Sequence, residues 1–248
     1  MDKEKYLNRI KYSDSLEPSL AVLKKLQEKH LLNVPFENLD IHDDIPIELS
    51  IDSIFEKIVN QKRGGFCYEL NGLFYELLIA LNFDAKRVSA RVFDKNKGYG
   101  KEFDHFAIIV SIDKVQYLSD VGFGDFTFEP LRLKIGNIQE DRNGKYIVDK
   151  YDDNYFRVNK IEKEMVPEYI FSTMSREFQD FNEMCTYHQT SPKSNFTRKK
   201  LISLATENGR ITLTTNNLKV SEFGLVKETE VKSEAEFNEY LQNLFYDQ

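Results

Sequence analysis

The chain has 248 residues, of which 41% are apolar and 30% are charged, and its formal net charge is −7. This balance is typical of a globular protein with a sizeable core in one or two domains, and the densest basic cluster, Arg198-Lys199-Lys200, is too small to form a nucleic-acid groove. Because no segment approaches the roughly 18 apolar residues of a bilayer span and no signal-peptide core follows Met1, we expect a cytoplasmic protein without membrane or nucleic-acid partners.

The first third of the chain is predicted to be helical. An apolar pattern at helical spacing begins at Leu20, and Pro18 is expected in the first turn of that helix, where proline is accepted. A second pattern covers residues 51 to 59, with Ser50 as the expected N-cap. A third and more regular pattern runs from Leu70 to Leu81.

The middle third is predicted to consist of strands. Val88, Ala90 and Val92 alternate with polar residues, as in a half-buried strand. Further apolar runs of strand length cover 105–112, 114–118, 145–150 and 155–161. Short polar turns separate these runs, so we expect a small barrel or meander.

The last third mixes both kinds of element. A short helix is expected over 177–185, a hairpin between 201–205 and 211–215, and a strand over 225–231. Ser233 and Glu236 are predicted to form the capping box of a closing helix. Helices followed by strands and then by a mixed segment indicate an α+β fold.

Cys67 lies between the glycine pair Gly64-Gly65, which suits a tight turn, and the most regular helical pattern. A thiol at a helix N-terminus faces free backbone amides and the positive end of the helix dipole, which favour the nucleophilic thiolate. The alternative is a small buried apolar side chain, the commoner fate of a free cysteine. Cys67 is therefore a candidate nucleophile that needs a base nearby.

Of the four histidines, His105 is the candidate base because it opens an apolar strand, directly after Asp104. His30 falls at the end of a helix, where we expect it as a cation that interacts with the dipole. Asp120 closes the next strand, and a carboxylate there needs a partner such as an imidazole. Nucleophile, base and orienting carboxylate would form a triad. A structural histidine and an aspartate that accepts turn amides remain the alternatives.

The remaining motifs leave two other functions open. Cys67 and Cys185 are expected to stay reduced, and Cys185 is interpreted as structural. Two cysteines and four scattered histidines lack metal-ligand spacing, so no metal is predicted. The order Cys, His, Asp also occurs in papain-like and transglutaminase-like folds, so a thiol hydrolase and an inactive binding module remain alternatives.

Four longer motifs lie around the candidate triad. Residues 63–71 read RGGFCYELN and contain the candidate nucleophile. The others read VPFENL at 34–39, DVGFG at 120–124 and YHQTSP at 187–192. By these motifs and their order along the chain, the sequence resembles the arylamine N-acetyltransferase family from about residue 6 to residue 215.

The resemblance implies a helical N-terminal domain (1–84), a central β-barrel domain (85–190) and a C-terminal α/β lid domain (191–248). It implies an enzyme of xenobiotic metabolism that moves an acetyl group from acetyl-CoA to arylamines, arylhydroxylamines or hydrazines by a ping-pong mechanism. Cys67 would carry the acetyl group as a thioester, while His105 and Asp120 would keep it as a thiolate paired with an imidazolium.

The resemblance also implies where the two substrates bind. By their position in the last motif, four residues are expected near CoA: Tyr187, Thr190, Ser191 and Lys193. Backbone amides of residues 66–68 are expected to form an oxyanion hole. Apolar walls suit a flat acceptor, and the candidates for these walls are Phe36, Phe66, Phe123 and Phe126, for each of which a place in the core is an equal alternative.

Overall fold

The computed structural model describes residues 1–246. Its N-terminal part is helical, as the apolar spacing predicts, and contains one short strand. The elements are α1 (Lys3–Arg9), α2 (Leu20–Asn33), β1 (Phe36–Glu37), α3 (Leu39–His42), α4 (Ile51–Phe55), a π-helical turn (Glu56–Asn60) and α5 (Cys67–Ala80).

Serine caps define where two of these helices begin. The Ser19 side chain accepts a hydrogen bond from the backbone N–H of Val22 at 3.3 Å, so α2 begins after Pro18. The expected place of Pro18 inside the first turn is therefore wrong. The predicted cap at Ser50 is confirmed, because its hydroxyl accepts from the N–H of Ser53 at 3.5 Å.

His30 lies near the end of α2 but faces the core. Its ring is fully buried, shares a 2.8 Å hydrogen bond between Nδ1 and the Tyr6 hydroxyl, and packs edge-on against Phe74. Burial lowers the pKa of His30 to about 3. The imidazole is therefore neutral near pH 7, and the expected role as a cation at the helix end is wrong.

The middle of the chain forms an antiparallel sheet that nearly closes into a barrel. Its strands are β2 (Asp84–Asp94), β3 (Gly98–Tyr99), β4 (His105–Ile112), β5 (Val115–Ser119), β6 (Leu131–Arg132), β7 (Ile138–Asp141), β8 (Gly144–Lys150), β9 (Phe156–Ile161) and β10 (Met165–Phe171). They follow the order β6-β5-β4-β2-β10-β9-β8-β7, and β3 pairs with β2. The predicted strand at 105–112 is confirmed residue for residue.

The sequence prediction missed β10, although this strand lies between β2 and β9 in the sheet. Its register shifts between Pro167 and Tyr169, and proline cannot donate to a ladder. The first residues of β10 are exposed and only the last three, 169–171, are buried, so no alternating pattern marks the strand. Its buried end nevertheless carries Tyr169 into the barrel interior.

The C-terminal part contains a second antiparallel sheet. Its elements are a 3₁₀ turn (Phe178–Phe181), α6 (Asn182–Thr190), α7 (Asn195–Arg198), β11 (Leu201–Thr206), β12 (Gly209–Thr214), β13 (Asn217–Glu222), β14 (Leu225–Glu230), α8 (Glu234–Leu241) and a π-helical turn (Gln242–Tyr246). The strand order is β1-β11-β12-β13-β14, so β1 from the helical part forms one edge.

Three expectations for this part are corrected or confirmed. The hairpin of β11 and β12 is confirmed, whereas β13 was not predicted. The helix expected over 177–185 is a 3₁₀ turn followed by α6, which ends later. Ser233 caps α8 as predicted, but the Glu236 carboxylate accepts from the N–H of Lys232, so the capping box is only half formed.

α5 is the buried element that joins the three parts. It packs on β2 and β4, and its apolar residues share one core with α1, α2, β4 and the 3₁₀ turn at Phe178–Phe181. The domain boundaries predicted after residues 84 and 190 stay predictions. The core around α5 contains side chains from both sides of residue 84. Within residues 1–246, no helix combines the length and apolar character that a membrane crossing requires.

A buried ion cluster links the loop before α5 to the start of that helix. We define it by its five members: Glu37, Asp40, Lys57, Arg63 and Glu69. Arg63 donates to both carboxylate oxygens of Glu37, at 3.1 and 2.8 Å, and contacts Asp40 at 2.6 Å. Lys57 contacts Asp40 at 2.7 Å and Glu69 at 2.9 Å. Each buried carboxylate therefore faces at least one cation, which offsets part of its desolvation.

Lys57→Met tests this cluster through global stability. The substitution keeps the length of the side chain but leaves Asp40 and Glu69 short of a buried cation, so we expect a loss of about 3–5 kcal/mol in the free energy of unfolding. Lys24→Met is the control, because the pair between Lys24 and Glu129 is solvent-exposed and contributes about 1 kcal/mol at most. Urea unfolding at neutral pH measures both. Equal losses in the two variants would contradict a structural role for the cluster.

Candidate active site

Cys67 is the first residue of α5 and is buried. The chain reaches it through a turn that only glycine allows, since a Cβ on Gly64 would lie 2.1 Å from the carbonyl oxygen of Pro35. The carboxylate of Glu69 accepts a hydrogen bond from the backbone N–H of Phe66 at 3.0 Å. The ion cluster thus holds the helix start that carries the candidate nucleophile.

His105 and Asp120 form a direct hydrogen-bonded pair. His105 begins β4 and Asp120 directly follows β5, and these neighbouring antiparallel strands bring the two side chains together. Their Nε2 and Oδ2 atoms are 2.7 Å apart, and both side chains are almost fully buried. A carboxylate partner fixes the tautomer with hydrogen on Nε2, so Nδ1 of the neutral ring remains a proton acceptor.

The Asp120 carboxylate accepts hydrogen bonds from three further donors. The Tyr169 hydroxyl donates to Oδ2 at 3.0 Å, while the Asn71 amide and the backbone N–H of Gly122 donate to Oδ1 at 2.8 and 2.9 Å. A buried carboxylate is stable only with such partners, and four donors from four chain segments hold it in one orientation. The plane of the His105 ring is fixed in consequence.

Asn71 connects this carboxylate to the helix that carries the candidate nucleophile. It lies four residues after Cys67 in α5, so both side chains point from the same helix face. Its amide also donates to the carbonyl of Phe106 at 2.6 Å and its oxygen accepts from the N–H of Val121 at 2.9 Å. A Cβ on Gly122 would lie 2.9 Å from the Cα of Cys67. The loop after Asp120 is therefore pressed against the start of α5.

The electrostatic surroundings oppose a free thiolate. Burial raises the pKa of the Cys67 thiol, and the Asp104 and Asp120 carboxylates raise it further, while a hydrogen bond from the backbone N–H of Tyr68 lowers it. The helix start expected to favour the thiolate is therefore outweighed by desolvation. A thiolate at this place needs a cation beside it, and an imidazolium at His105 would supply one.

Cys67 and His105 line the same cavity of about 410 Å³. Its lining combines apolar and aromatic side chains with polar and charged ones, and concave sites of this kind bind small molecules. Two of the expected acceptor walls, Phe36 and Phe123, line this cavity. Phe66 and Phe126 are instead packed into the helical core and the barrel core, which is the alternative stated for each of the four.

A second cavity of about 210 Å³ adjoins the first and shares four lining residues with it: Val92, Asp104, His188 and Asn195. Of the residues expected near CoA, Tyr187 and Lys193 line this second cavity. Thr190 does not line it, and its hydroxyl donates to the carbonyl of Thr186 at 2.8 Å. Ser191 does not line it either, and its hydroxyl accepts from the N–H of Lys193 at 3.3 Å.

Cys185 is buried away from both cavities. Its sulfur lies 3.2 Å from the Gln189 amide nitrogen, and burial raises the pKa of its thiol to about 12. This surrounding fits the structural interpretation of Cys185. Among residues 1–246, no group of three or more His, Cys, Asp or Glu side chains is arranged to hold a metal ion.

The chain is similar to proteins of one family over nearly its whole length. The model of the N-acetyltransferase family matches residues 19–246. Arylamine N-acetyltransferase from Mycolicibacterium smegmatis is 32% identical over 99% of this chain and 91% of its own length. Arylamine N-acetyltransferase 1 from Homo sapiens is 31% identical over 99% of this chain and 93% of its length. The chain belongs to the arylamine N-acetyltransferase family.

Solved arylamine N-acetyltransferases share the fold of this family member. The crystal structure of the Mycobacterium smegmatis enzyme superposes with a TM-score of 0.92, at 31% identity, over 99% of this chain and 92% of that one. The Mycobacterium marinum enzyme, solved in complex with CoA, gives 0.91 at 28% identity, with 98% and 92% covered. A Bacillus cereus relative with a Cys-His-Glu triad gives 0.92 at 25% identity, with 99% and 98% covered. The α+β fold with a helical part, a barrel and an α/β part is confirmed.

Sequence reasoning missed two groups of this candidate site. Tyr169 donates to Asp120 but comes from β10, which no pattern predicted. His188 was seen only as part of a motif, yet it lines both cavities, and its Nε2 lies 3.2 Å from Oδ1 of Asp104. Since Asp104 precedes His105, a second imidazole–carboxylate pair stands beside the first. In the sequence, only the place of His188 in the motif at 187–192 could have suggested this second pair.

Tyr169→Phe tests how far the acetyltransferase depends on the orientation of Asp120. Removing one of the four donors frees the carboxylate and its imidazole partner to reorient, so we expect kcat/KM for acetyl transfer to fall about tenfold. Tyr146→Phe is a matched control in the same barrel core, because the Tyr146 hydroxyl contacts Asn143 and not Asp120. Steady-state assays with an arylamine measure both variants. Transfer at the wild-type rate in Tyr169→Phe would contradict this role.

Proposed function

We propose that the protein transfers an acetyl group from acetyl-CoA to arylamines, arylhydroxylamines or hydrazines by a ping-pong mechanism through a thioester on Cys67. The observation that carries the proposal is the buried His105–Asp120 pair, whose imidazole lines the same cavity as Cys67. Membership in a family of acetyltransferases and the CoA complex of the Mycobacterium marinum relative support the choice of donor.

In the first half-reaction, Nδ1 of His105 takes the proton of the Cys67 thiol, and Asp120 stabilises the imidazolium that forms. The thiolate attacks the carbonyl carbon of acetyl-CoA, and the bond from that carbon to the CoA sulfur breaks. The departing CoA thiolate takes the proton back from the imidazolium. Backbone amides at 66–68 are proposed to stabilise the oxyanion of the tetrahedral intermediate.

In the second half-reaction, the amine attacks the Cys67 thioester. His105 accepts the proton that the amine loses, and the bond from the acetyl carbon to the Cys67 sulfur breaks to release the amide. A weakly basic aromatic amine is a poor nucleophile, so a thioester is a suitable acyl donor for it. Phe36 and Phe123 offer the cavity flat apolar walls against which such a ring can pack.

For CoA we propose the second cavity, with Tyr187 and Lys193 as contacts. Lys97 and Lys101 also line it, so three ammonium groups are available for the phosphates of the nucleotide. Thr190 and Ser191 belong to the proposed site through the turn that presents Lys193, since the hydroxyl of Ser191 accepts the N–H of that lysine. The adjoining first cavity would receive the acetyl end.

The proposed division of labour follows the three segments. Residues 1–84 would carry the nucleophile, residues 85–190 the base and its carboxylate, and residues 191–248 would act as a lid over the cavity. Leu201 and Thr212 from the second sheet line the cavity that contains Cys67, which supports the lid assignment. The mechanism needs a reduced Cys67, and the cytoplasm keeps thiols reduced, so we propose that compartment.

Incubation with acetyl-CoA in the absence of an acceptor tests the covalent step. We expect one equivalent of CoA to be released and one acetyl group to appear by mass spectrometry on the peptide that contains Cys67. Cys67→Ser should fold and form no adduct, because an alcohol has no accessible anion. Cys185→Ser is the matched control and should acetylate like the wild type. Continuous CoA release without adduct would instead indicate a thiol hydrolase.

Lys193→Met tests the proposed CoA site. We expect the KM for acetyl-CoA to rise several-fold, and the difference from wild type to shrink at high salt, because a screened ammonium contributes less to phosphate binding. Lys163→Met is the control, since Lys163 is exposed in the turn between β9 and β10. Equal KM values for acetyl-CoA in all three proteins would exclude Lys193 from the site.

A further inference from the structure

One wall of the active cavity is polar and comes from the second sheet. Arg210 on β12 lines the cavity that contains Cys67, and only 14% of its side chain is exposed. Ser203 and Thr212 lie beside it on the same wall, and their hydroxyls share a 2.8 Å hydrogen bond. A buried guanidinium thus lines the same cavity as the aromatic rings of Phe36, Phe123 and Phe196.

Protein groups use only part of the hydrogen-bonding capacity of Arg210. Its Nη2 donates to the carbonyl oxygen of Gly124 at 2.8 Å, and its Nη1 donates to the Ser203 hydroxyl at 3.2 Å. Its Nε lies 3.5 Å from Oδ1 of Asp125. Within residues 1–246 these contacts involve three of the five N–H donors of a guanidinium, which leaves two for a ligand.

The positive charge of Arg210 is also incompletely matched. Burial lowers the pKa of Arg210, although Asp125 acts in the opposite direction. Asp125 is 62% exposed, and it shares its carboxylate with the Asn143 amide at 2.9 Å and with Lys160 at 3.9 Å. The other carboxylate on the cavity wall, Asp104, is already paired with His188. A buried cation with so little compensation is stabilised by an anionic ligand.

We propose that Arg210 forms a carboxylate-binding subsite of the active cavity. This inference rests on the proposed acetyltransferase function and adds a preference among its substrates. A guanidinium recognises a carboxylate through two parallel N–H bonds, which neither Ser203 nor Thr212 can supply. The carboxylate can belong to the aromatic acceptor or to the acyl group on CoA. Asp125 competes with it for Arg210 and thereby weakens its binding.

The acceptor arm compares 4-aminobenzoate with 4-aminobenzamide, which has the same shape without the charge. The readout is the ratio of their kcat/KM values, with acetyl-CoA as donor. We expect Arg210→Gln, which keeps amide donors for Gly124, to lower this ratio about tenfold. Asp125→Asn should raise the ratio several-fold, because it removes the competing carboxylate.

The acyl arm compares succinyl-CoA with butyryl-CoA in the first half-reaction, followed as acylation of Cys67 without acceptor. If the carboxylate belongs to the acyl group, the succinyl-to-butyryl rate ratio falls about tenfold in Arg210→Gln, while the aminobenzoate-to-aminobenzamide ratio stays at the wild-type value. Either result supports the subsite and identifies the source of the carboxylate. Failure of Cys67 to accept any acyl group would contradict the proposed function instead.

Two controls separate binding from structure. Arg210→Lys keeps the charge but not the fork, so it should recover part of the affected ratio. Lys219→Met removes an exposed cation from β13, whose backbone pairs with β12, and should leave both ratios unchanged. If Arg210 only clamps the loop at Gly124, Arg210→Gln slows charged and neutral substrates equally. Unchanged ratios in both arms would therefore overturn the proposal.

Discussion

The Asp120 carboxylate is the constraint on which the rest of the site depends. It is buried, and it accepts hydrogen bonds from an imidazole, an amide, a phenol and a backbone N–H, each on a different segment. A buried anion is costly unless hydrogen bonds compensate it, so the native fold brings these segments together at one point. Because Asn71 and Cys67 lie on the same face of α5, the contact that satisfies Asp120 also brings the thiol to the cavity that His105 lines.

The surroundings of the thiol explain why such strict placement matters. Cys67 lies at a helix start, yet burial and two nearby carboxylates raise the pKa of its thiol. The start of α5 does not offset this desolvation, so in the proposed mechanism the proton passes to a base held at a fixed position. The ion cluster contributes by holding the helix start through Glu69. In the proposed mechanism, an imidazolium paired with the Cys67 thiolate offsets the desolvation that raises the pKa of the thiol.

Much of this arrangement could be predicted from the sequence because its signals are local. The strand at 105–112, the helix after Gly64-Gly65 and the place of Asp120 at a strand end each follow from patterns of a few residues. Tyr169 could not be found in this way, because its strand contains a proline at a register shift and lacks alternation. The neutral state of His30 depends on tertiary burial, and the place of Arg210 depends on how the second sheet meets the barrel. Such long-range contacts leave no mark on local spacing.

The most direct measurement of the central claim is the pH dependence of Cys67 alkylation by iodoacetamide, in the wild type and in His105→Gln. If the thiolate exists because an imidazolium held by Asp120 stabilises it, the wild type reacts well below the ordinary pKa of a thiol, whereas His105→Gln reacts only at alkaline pH. Asp120→Asn should lie between the two. Identical alkylation profiles in wild type and His105→Gln would show that the thiol ionises without this partner, and would contradict the account.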